Sequence, residues 1–487
     1  MRPWLLVLPL FVSTGFSRLV AREGSKVIRV PFSKEKYPSH DVGKRDGVSK
    51  TAYQKLDNKR STKDFLFYAN ITLGTPEQPL RLHIDTGSSD IWVETPGSEI
   101  CRTSKNGCSI GGTYDNTTSS TYQYVEGNFA ISYVDGQFAS GEYAKDTFHI
   151  GGVGVSDVQF GIGFKGTSEE GILGIGFEAR QSGVTKGQAE YPGLITQMVK
   201  QDLINSRAYS IWLNDLNAES GEILFGGIDA GKYDGSLTTI PLSKRTGFDR
   251  ATDFIISLHG LTITNGDEEP RILMNESRTI PALLDTGASF TYLPQDVANQ
   301  LVDLVGAQTV SEYKGPAVNC SKRAMDETFR FQFAGTSITV KLRDFIIDAT
   351  DEPNEDNHIL CYFGILGISE GSVLTLGDTF LRSAYVVYDM DNEEISIAQT
   401  IFNSTVTNIL EIGIGPTAVP SVTRPSRVDS VPVTGTDSAG VSSSDPHSTT
   451  SGSPDISNSA AASSSISPLA TFLTTFLISS LSFAVFL

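Results

Sequence analysis

The feature that most constrains this chain is a motif written twice. Leu82-His83-Ile84-Asp85-Thr86-Gly87-Ser88-Ser89 returns as Leu283-Leu284-Asp285-Thr286-Gly287-Ala288-Ser289, with the two aspartates 200 residues apart. Each copy is followed, 89 and 92 residues after its aspartate, by the glycine of an apolar segment: Ile172-Leu173-Gly174 and Leu374-Thr375-Leu376-Gly377. Two motifs in the same order at nearly the same spacing predict two homologous lobes. Between about 61 and 412, short β-branched and aromatic runs are broken by Gly, Asn and Asp, the pattern of an all-β protein rich in hairpins. Helical periodicity is sparse and clearest over 194–203 and 295–305. The expectation is an all-β, bilobal fold, with an N-terminal lobe over 61–245 and a C-terminal lobe over 246–412.

An apolar strand that ends in Asp-Thr-Gly sets a carboxylate at a strand-to-turn corner, where glycine permits a tight backbone and a close approach. The neighbouring threonine hydroxyl can bond across to the opposite loop. If the lobes pack about a pseudo-two-fold axis, Asp85 and Asp285 meet near it. Like charges that close cannot both ionise, so the pair holds one proton between them. Such a pair can polarise a water, act as base toward it and protonate a leaving amine, with no metal, cofactor or covalent intermediate. The proton belongs to the pair rather than to either residue.

On these residues the chain resembles the pepsin-like aspartic proteases. Asp85-Thr86-Gly87-Ser88-Ser89-Asp90-Ile91-Trp92-Val93 is similar to the family's first active-site segment and Asp285-Thr286-Gly287 to its second. The resemblance spans about 68–399, including Leu224-Phe225-Gly226-Gly227 and Leu376-Gly377-Asp378. It implies that the active site lies in the cleft between the lobes, that Asp85 and Asp285 are catalytic, and that Thr86, Gly87, Ser88, Thr286, Gly287 and Ala288 support them. It also places Tyr133, in Ile131-Ser132-Tyr133-Val134-Asp135-Gly136, on a flap over bound substrate with Trp92 as hydrogen-bond partner. Ala288 departs from the hydroxyl residue that relatives often carry after the second D-T-G. Losing a donor to the charged carboxylate raises its proton affinity, so a less acidic optimum is expected. Asp135, with Gly136 at the flap tip, stands where related fungal enzymes that accept lysine carry an aspartate, which implies substrates with basic or paired basic residues. The whole chain is similar to the yapsin-type surface proteases of fungi.

Charge agrees with that reading. Lys plus Arg number 38 against 56 Asp plus Glu, a net charge of −18 over 487 residues. Nucleic acid needs a cationic surface, so it is excluded as a partner; a positively charged substrate or an acidic medium suits such a chain. No HExxH or CxxC spacing occurs, and no metal site is expected. Gly161-Ile162-Gly163-Phe164-Lys165-Gly166 matches a dinucleotide fingerprint but lacks the apolar helix that must follow, so a loop is expected there. Gly367-Ile368-Ser369-Glu370-Gly371 matches a nucleophile elbow but is followed by a strand-like run. His83 and His149 sit in apolar strands and read as packed side chains. A non-catalytic binding protein on the same fold is the rival reading, and both D-T-G aspartates argue against it.

The two ends set the compartment. A cationic start and an apolar run over residues 4–12 read as a signal peptide, residues 1–17. The polar, basic stretch 18–60 reads as a propeptide ending at the dibasic pair Lys59-Arg60, with Lys44-Arg45 as an alternative. Residues 413–458 are rich in Ser, Thr and Pro and read as an extended stalk. The uncharged apolar tail within 459–487, with small residues before it, fits a glycosylphosphatidylinositol (GPI) attachment signal that is removed, Asn458 being the expected attachment site. The protein is thus expected in the secretory pathway and then at the plasma membrane or wall, as a monomer. Four cysteines allow three pairings; the local one, Cys101–Cys108 with Cys320–Cys361, needs no contact between distant parts of the chain and is the one expected. Sequons at Asn70, Asn116, Asn275, Asn319 and Asn403 fit the same route.

Overall fold

The computed structural model describes residues 26–35 and 66–434, apart from 106, 219, 310–314, 354–358 and 427–430. Residues 1–17, Lys59, Arg60, Asn458 and the C-terminal tail lie outside the described residues. Among those described, no helix is long and apolar enough to cross a membrane.

The same knot of strands is built twice. In the N-terminal half, Gln78–Asp85 runs parallel to Ile172–Gly174, with Asp85 opposite Gly174. That short strand then pairs antiparallel with Ile91–Glu94, which runs parallel to Val153–Gly166. In the C-terminal half, Ile280–Leu284 runs parallel to Leu374–Leu376, which pairs antiparallel with Thr291–Pro294, itself parallel to Ile365–Ile368. The repeat in sequence is therefore a repeat in topology. Each D-T-G sits where its strand leaves the sheet.

The halves do not part cleanly at 245/246. Ala384–Asp389, from the second half, pairs with Ala208–Trp212 from the first, and Glu394–Gln399 pairs with Leu237–Pro241. All residues of Ala208–Trp212 and Ala384–Asp389 are buried, as expected of central strands covered on both faces. Ile28–Glu35, read as prosegment, is a strand of this same sheet, between Ser220–Phe225 and Leu66–Leu73. Its Ile28, Val30 and Phe32 point inward and are buried, and Arg29 Nε donates to Glu222 Oε2 at 2.6 Å.

Local sequence explains the outlying elements. Gln295–Val305 is helical, with Val297, Ala298, Leu301 and Val305 forming its buried stripe. Gly306 ends it in the left-handed region at φ 67°. A shorter helix, Leu194–Lys200, lies within the other expected segment. Both disulfides form in the expected pairing, Cys101–Cys108 and Cys320–Cys361.

Two segments differ from expectation. The glycine-rich 161–166 is not a loop but the end of the strand Val153–Gly166. Glycine is needed at 161 because a β-carbon there would lie 2.6 Å from the Phe129 ring. Residues 413–426 and 431–434, expected to open the stalk, pack on the body. Ala418, Val419 and Val433 are buried, Val422–Thr423 pairs with Leu237 and Thr238, and Val433 bonds Lys244 and Thr246 through its main chain. These few apolar anchors are diluted among Ser, Thr and Pro, so composition alone hides them.

The body is built to tolerate acid. Glu94 ends the strand Ile91–Glu94 at 1% exposure, with Oε2 3.8 Å from Cys101 Sγ. Burial pushes its carboxyl up to about 7 from an ordinary 4.5. Burial likewise raises Asp90, Asp344, Asp389 and Glu222. A carboxyl raised in the folded state costs nothing while protonated. It destabilises progressively as pH climbs from the unfolded value through the folded one. For Glu94 the full cost is about 3 kcal/mol at one pKa unit per 1.36 kcal/mol. The wild-type melting temperature should therefore fall between pH 4.5 and 7.5, and Glu94→Gln should flatten that fall. Parallel melting curves for the two proteins across this range would contradict it.

Candidate active site

Four hydrogen bonds tie the two D-T-G corners together. Thr86 N donates to Thr286 Oγ1 at 3.1 Å and Thr286 N to Thr86 Oγ1 at 3.0 Å. Each hydroxyl then donates to the carbonyl two residues before the opposite threonine: Thr86 Oγ1 to Leu284 O and Thr286 Oγ1 to Ile84 O, both at 2.9 Å. The lattice is self-complementary and buried, with Thr86 2% and Thr286 0% exposed. In so low a dielectric such bonds hold geometry firmly, because breaking one strands a buried polar group.

The lattice brings the carboxyls together. A β-carbon on Gly87 would lie 2.5 Å from Asp285 Oδ1, and one on Gly287 2.4 Å from Asp85 Oδ1. Each carboxylate thus leans over the glycine of the opposite loop, an approach that only glycine allows. The underlying segments are equally tight, since a β-carbon on Gly377 would lie 2.2 Å from Ala288 O.

Each carboxyl is held by its own turn. Asp85 Oδ1 accepts from Gly87 N at 2.8 Å and Ser88 N at 3.1 Å, and Ser88 Oγ donates to Oδ2. Asp285 Oδ1 accepts from Gly287 N at 2.8 Å. Ala288 offers no hydroxyl where Ser88 has one. Two carboxyls so placed can share a proton and hold a water between them.

A hairpin covers the site. Gln123–Ser132 and Phe138–Ile150 are joined by a turn in which Tyr133 N donates to Gln137 O at 2.7 Å and Gly136 adopts φ 86°. Trp92 Nε1 donates to Tyr133 Oη at 2.9 Å, as the resemblance implied. Burial, and then the charge of Asp85, holds the Tyr133 hydroxyl well above its ordinary pKa, so it stays neutral. Asp135 lies exposed at the tip, where its carboxylate accepts from Gln137 N at 2.9 Å and Gln137 Nε2 at 2.7 Å. It therefore shapes its own turn while facing solvent.

Two buried groups on the first aspartate segment have partners that the sequence did not show. Asp90, five residues after Asp85, accepts from Ser182 N at 2.6 Å, Tyr191 Oη at 2.8 Å and Tyr143 Oη at 3.1 Å. It pins the loop that carries Ser182 and Tyr191 to the start of the Trp92 strand. His83 is packed, as expected, but its Nε2 also lies 3.3 Å from Thr286 O. The motif showed Asp90 as a polar residue before an apolar run, and nothing local marked its partners about 50–100 residues away. Of the sequons, none of Asn70, Asn116, Asn275, Asn319 and Asn403 is buried.

The fold and the site define a class, and comparison with known proteins shows it. The sequence model of the eukaryotic aspartyl proteases matches residues 66–400. "Probable aspartic-type endopeptidase opsB" of Aspergillus fumigatus is 46% identical over 385 residues, 78% of this chain and 76% of that protein. "Probable aspartic-type endopeptidase OPSB" of Arthroderma benhamiae is 43% identical over 406 residues, 82% of this chain and 81% of its own. "Secreted aspartic protease 8" of Candida albicans is 34% identical over 345 residues, 70% and 77% of the two chains. This chain belongs to the eukaryotic aspartyl protease family. It is an aspartic-type endopeptidase.

The missing donor at 288 has a measurable consequence. Ala288→Thr supplies a hydroxyl to the charged form of Asp285, so the pH–rate profile should move toward acid. An unmoved or alkaline-shifted profile would contradict the role given to this position.

Proposed function

We propose that Asp85 and Asp285 are the catalytic pair and cleave peptide bonds with a water held between their carboxyls. The observation that carries this is the threonine lattice between the two halves, with each carboxylate laid over the other's glycine. The pair enters the reaction with one proton. Its ionised side takes a proton from the water as the oxygen attacks the scissile carbonyl, and its protonated side donates to the carbonyl oxygen. The tetrahedral species then collapses, the C–N bond breaks, and a proton passes to the departing amine. Tyr133, held by Trp92, closes the flap over the substrate and excludes bulk water.

Specificity follows from the flap tip. Asp135 is exposed two residues beyond Tyr133, and its carboxylate can pair with a lysine or arginine side chain at the residue before the scissile bond. The negative charge of the whole chain draws such substrates in. We read the natural substrates as secreted proproteins and surface proteins with basic or paired basic sites. The apolar N-terminal run, the sequons, the Ser/Thr/Pro-rich stretch and the uncharged apolar C-terminal tail support secretion and a GPI anchor at Asn458, with propeptide release at Lys59-Arg60.

Asp85→Asn and Asp285→Asn should each lower kcat on casein or a basic peptide by about a thousandfold or more while leaving the melting temperature near that of the parent. A statine-type inhibitor should block the parent and a chelator should not. Activity surviving either substitution would overturn the assignment. Asp135→Ala should cut the Lys-over-Leu ratio of kcat/KM by about tenfold; an unchanged ratio would remove the basis for the basic preference.

A further inference from the structure

The repeat that built the two aspartate loops differs in polarity two residues before each aspartate. Two residues before Asp285 stands Leu283, 3% exposed and clustered with Ile255, Val373 and Val433. Two residues before Asp85 stands His83, 7% exposed. Side chains two apart on a strand share a face, so His83 points as Asp85 does, toward the other half. There its Nε2 lies 3.3 Å from the carbonyl oxygen of Thr286.

That carbonyl belongs to the peptide joining Thr286 to Gly287, and the N–H of the same peptide donates to Asp285 Oδ1 at 2.8 Å. A donor on the oxygen of a peptide unit polarises it and strengthens the bond its N–H makes. His83 Nε2–H, Thr286 C=O, Gly287 N–H and the Asp285 carboxylate therefore form one chain of hydrogen bonds. Position 283 carries leucine, so the first loop receives no such strut from its counterpart. Instead it has the Ser88 hydroxyl on Asp85, at the place where the second loop carries Ala288.

The imidazole is itself set in place. Its ring stands 5.8 Å from that of Tyr68 on the neighbouring strand, and its backbone N–H donates to Gly171 O at 3.1 Å. Tyr68 is fixed in turn by donating to Glu170 Oε2 at 2.6 Å and by the Arg81 guanidinium 3.9 Å over its ring. The order of groups from His83 outward is thus Tyr68, then Glu170 and Arg81, on one side, and Thr286, then Asp285, on the other.

We propose that His83 is a positioning residue for Asp285, acting across the two halves through the Thr286–Gly287 peptide. This rests on Asp85 and Asp285 being the catalytic pair. His83 touches neither substrate nor the reacting atoms, so its loss should weaken turnover rather than binding.

The test compares His83→Gln with His83→Asn in the processed enzyme on a basic peptide, with Asp285→Asn as a third arm. A glutamine amide reaches about as far as Nε2 and can donate to Thr286 O; an asparagine amide falls short. His83→Asn should lose about tenfold in kcat with KM within about twofold, the size of one hydrogen bond to this peptide. His83→Gln should keep at least about a third of the parent kcat. Equal kcat for the Gln and Asn variants, or a loss confined to KM, would overturn the proposal even with the Asp285→Asn enzyme inactive. Full activity in Asp285→Asn would instead remove the assignment beneath it.

Discussion

The structure depends on the reciprocal bonds between Thr86 and Thr286. Two carboxyls side by side repel once both are charged, and nothing in either half alone would keep them together. The threonine lattice supplies that restraint without adding charge. Each threonine gives its hydroxyl to the far strand and takes an amide from the far threonine, so neither corner can shift without breaking a buried bond in the other. The shared sheet beneath, with Ala384–Asp389 against Ala208–Trp212, holds the same two halves from below. The disulfides do not serve this purpose, since each closes a loop within one half.

Around that symmetric centre the surroundings are unequal. Ser88 faces Asp85, Ala288 replaces its counterpart, and His83 stands where the other half has Leu283. The hairpin that carries Tyr133 belongs to the first half, with Tyr133 tied to Trp92. Carboxyls buried and raised elsewhere, Glu94 and Asp90 among them, are each less costly to the fold when protonated.

Much of this was legible in the sequence, for a physical reason. Asp-Thr-Gly encodes its own geometry: a strand end, a cross-bonding hydroxyl and a residue with no side chain to obstruct approach. Two copies at matched spacing with matched glycines then imply the partner. Trp92 and Tyr133 followed by resemblance, and Gln295–Val305 by its apolar stripe. What escaped notice depends on distant partners. His83 reads as a packed residue because Thr286 lies 203 residues away. The strand through 161–166 was disguised by glycines whose need arises from the Phe129 ring. Residues 413–426 and 431–434 looked like stalk because their buried anchors, Ala418, Val419 and Val433, are few and widely spaced.

The most direct test of the central claim is the pH dependence of kcat/KM for the enzyme on an internally quenched peptide, followed from about pH 2 to pH 8. Two carboxyls sharing one proton predict a bell with two limbs, whose apparent ionisations belong to the pair. A profile governed by a single ionisation, as one lone carboxylate would give, would contradict it.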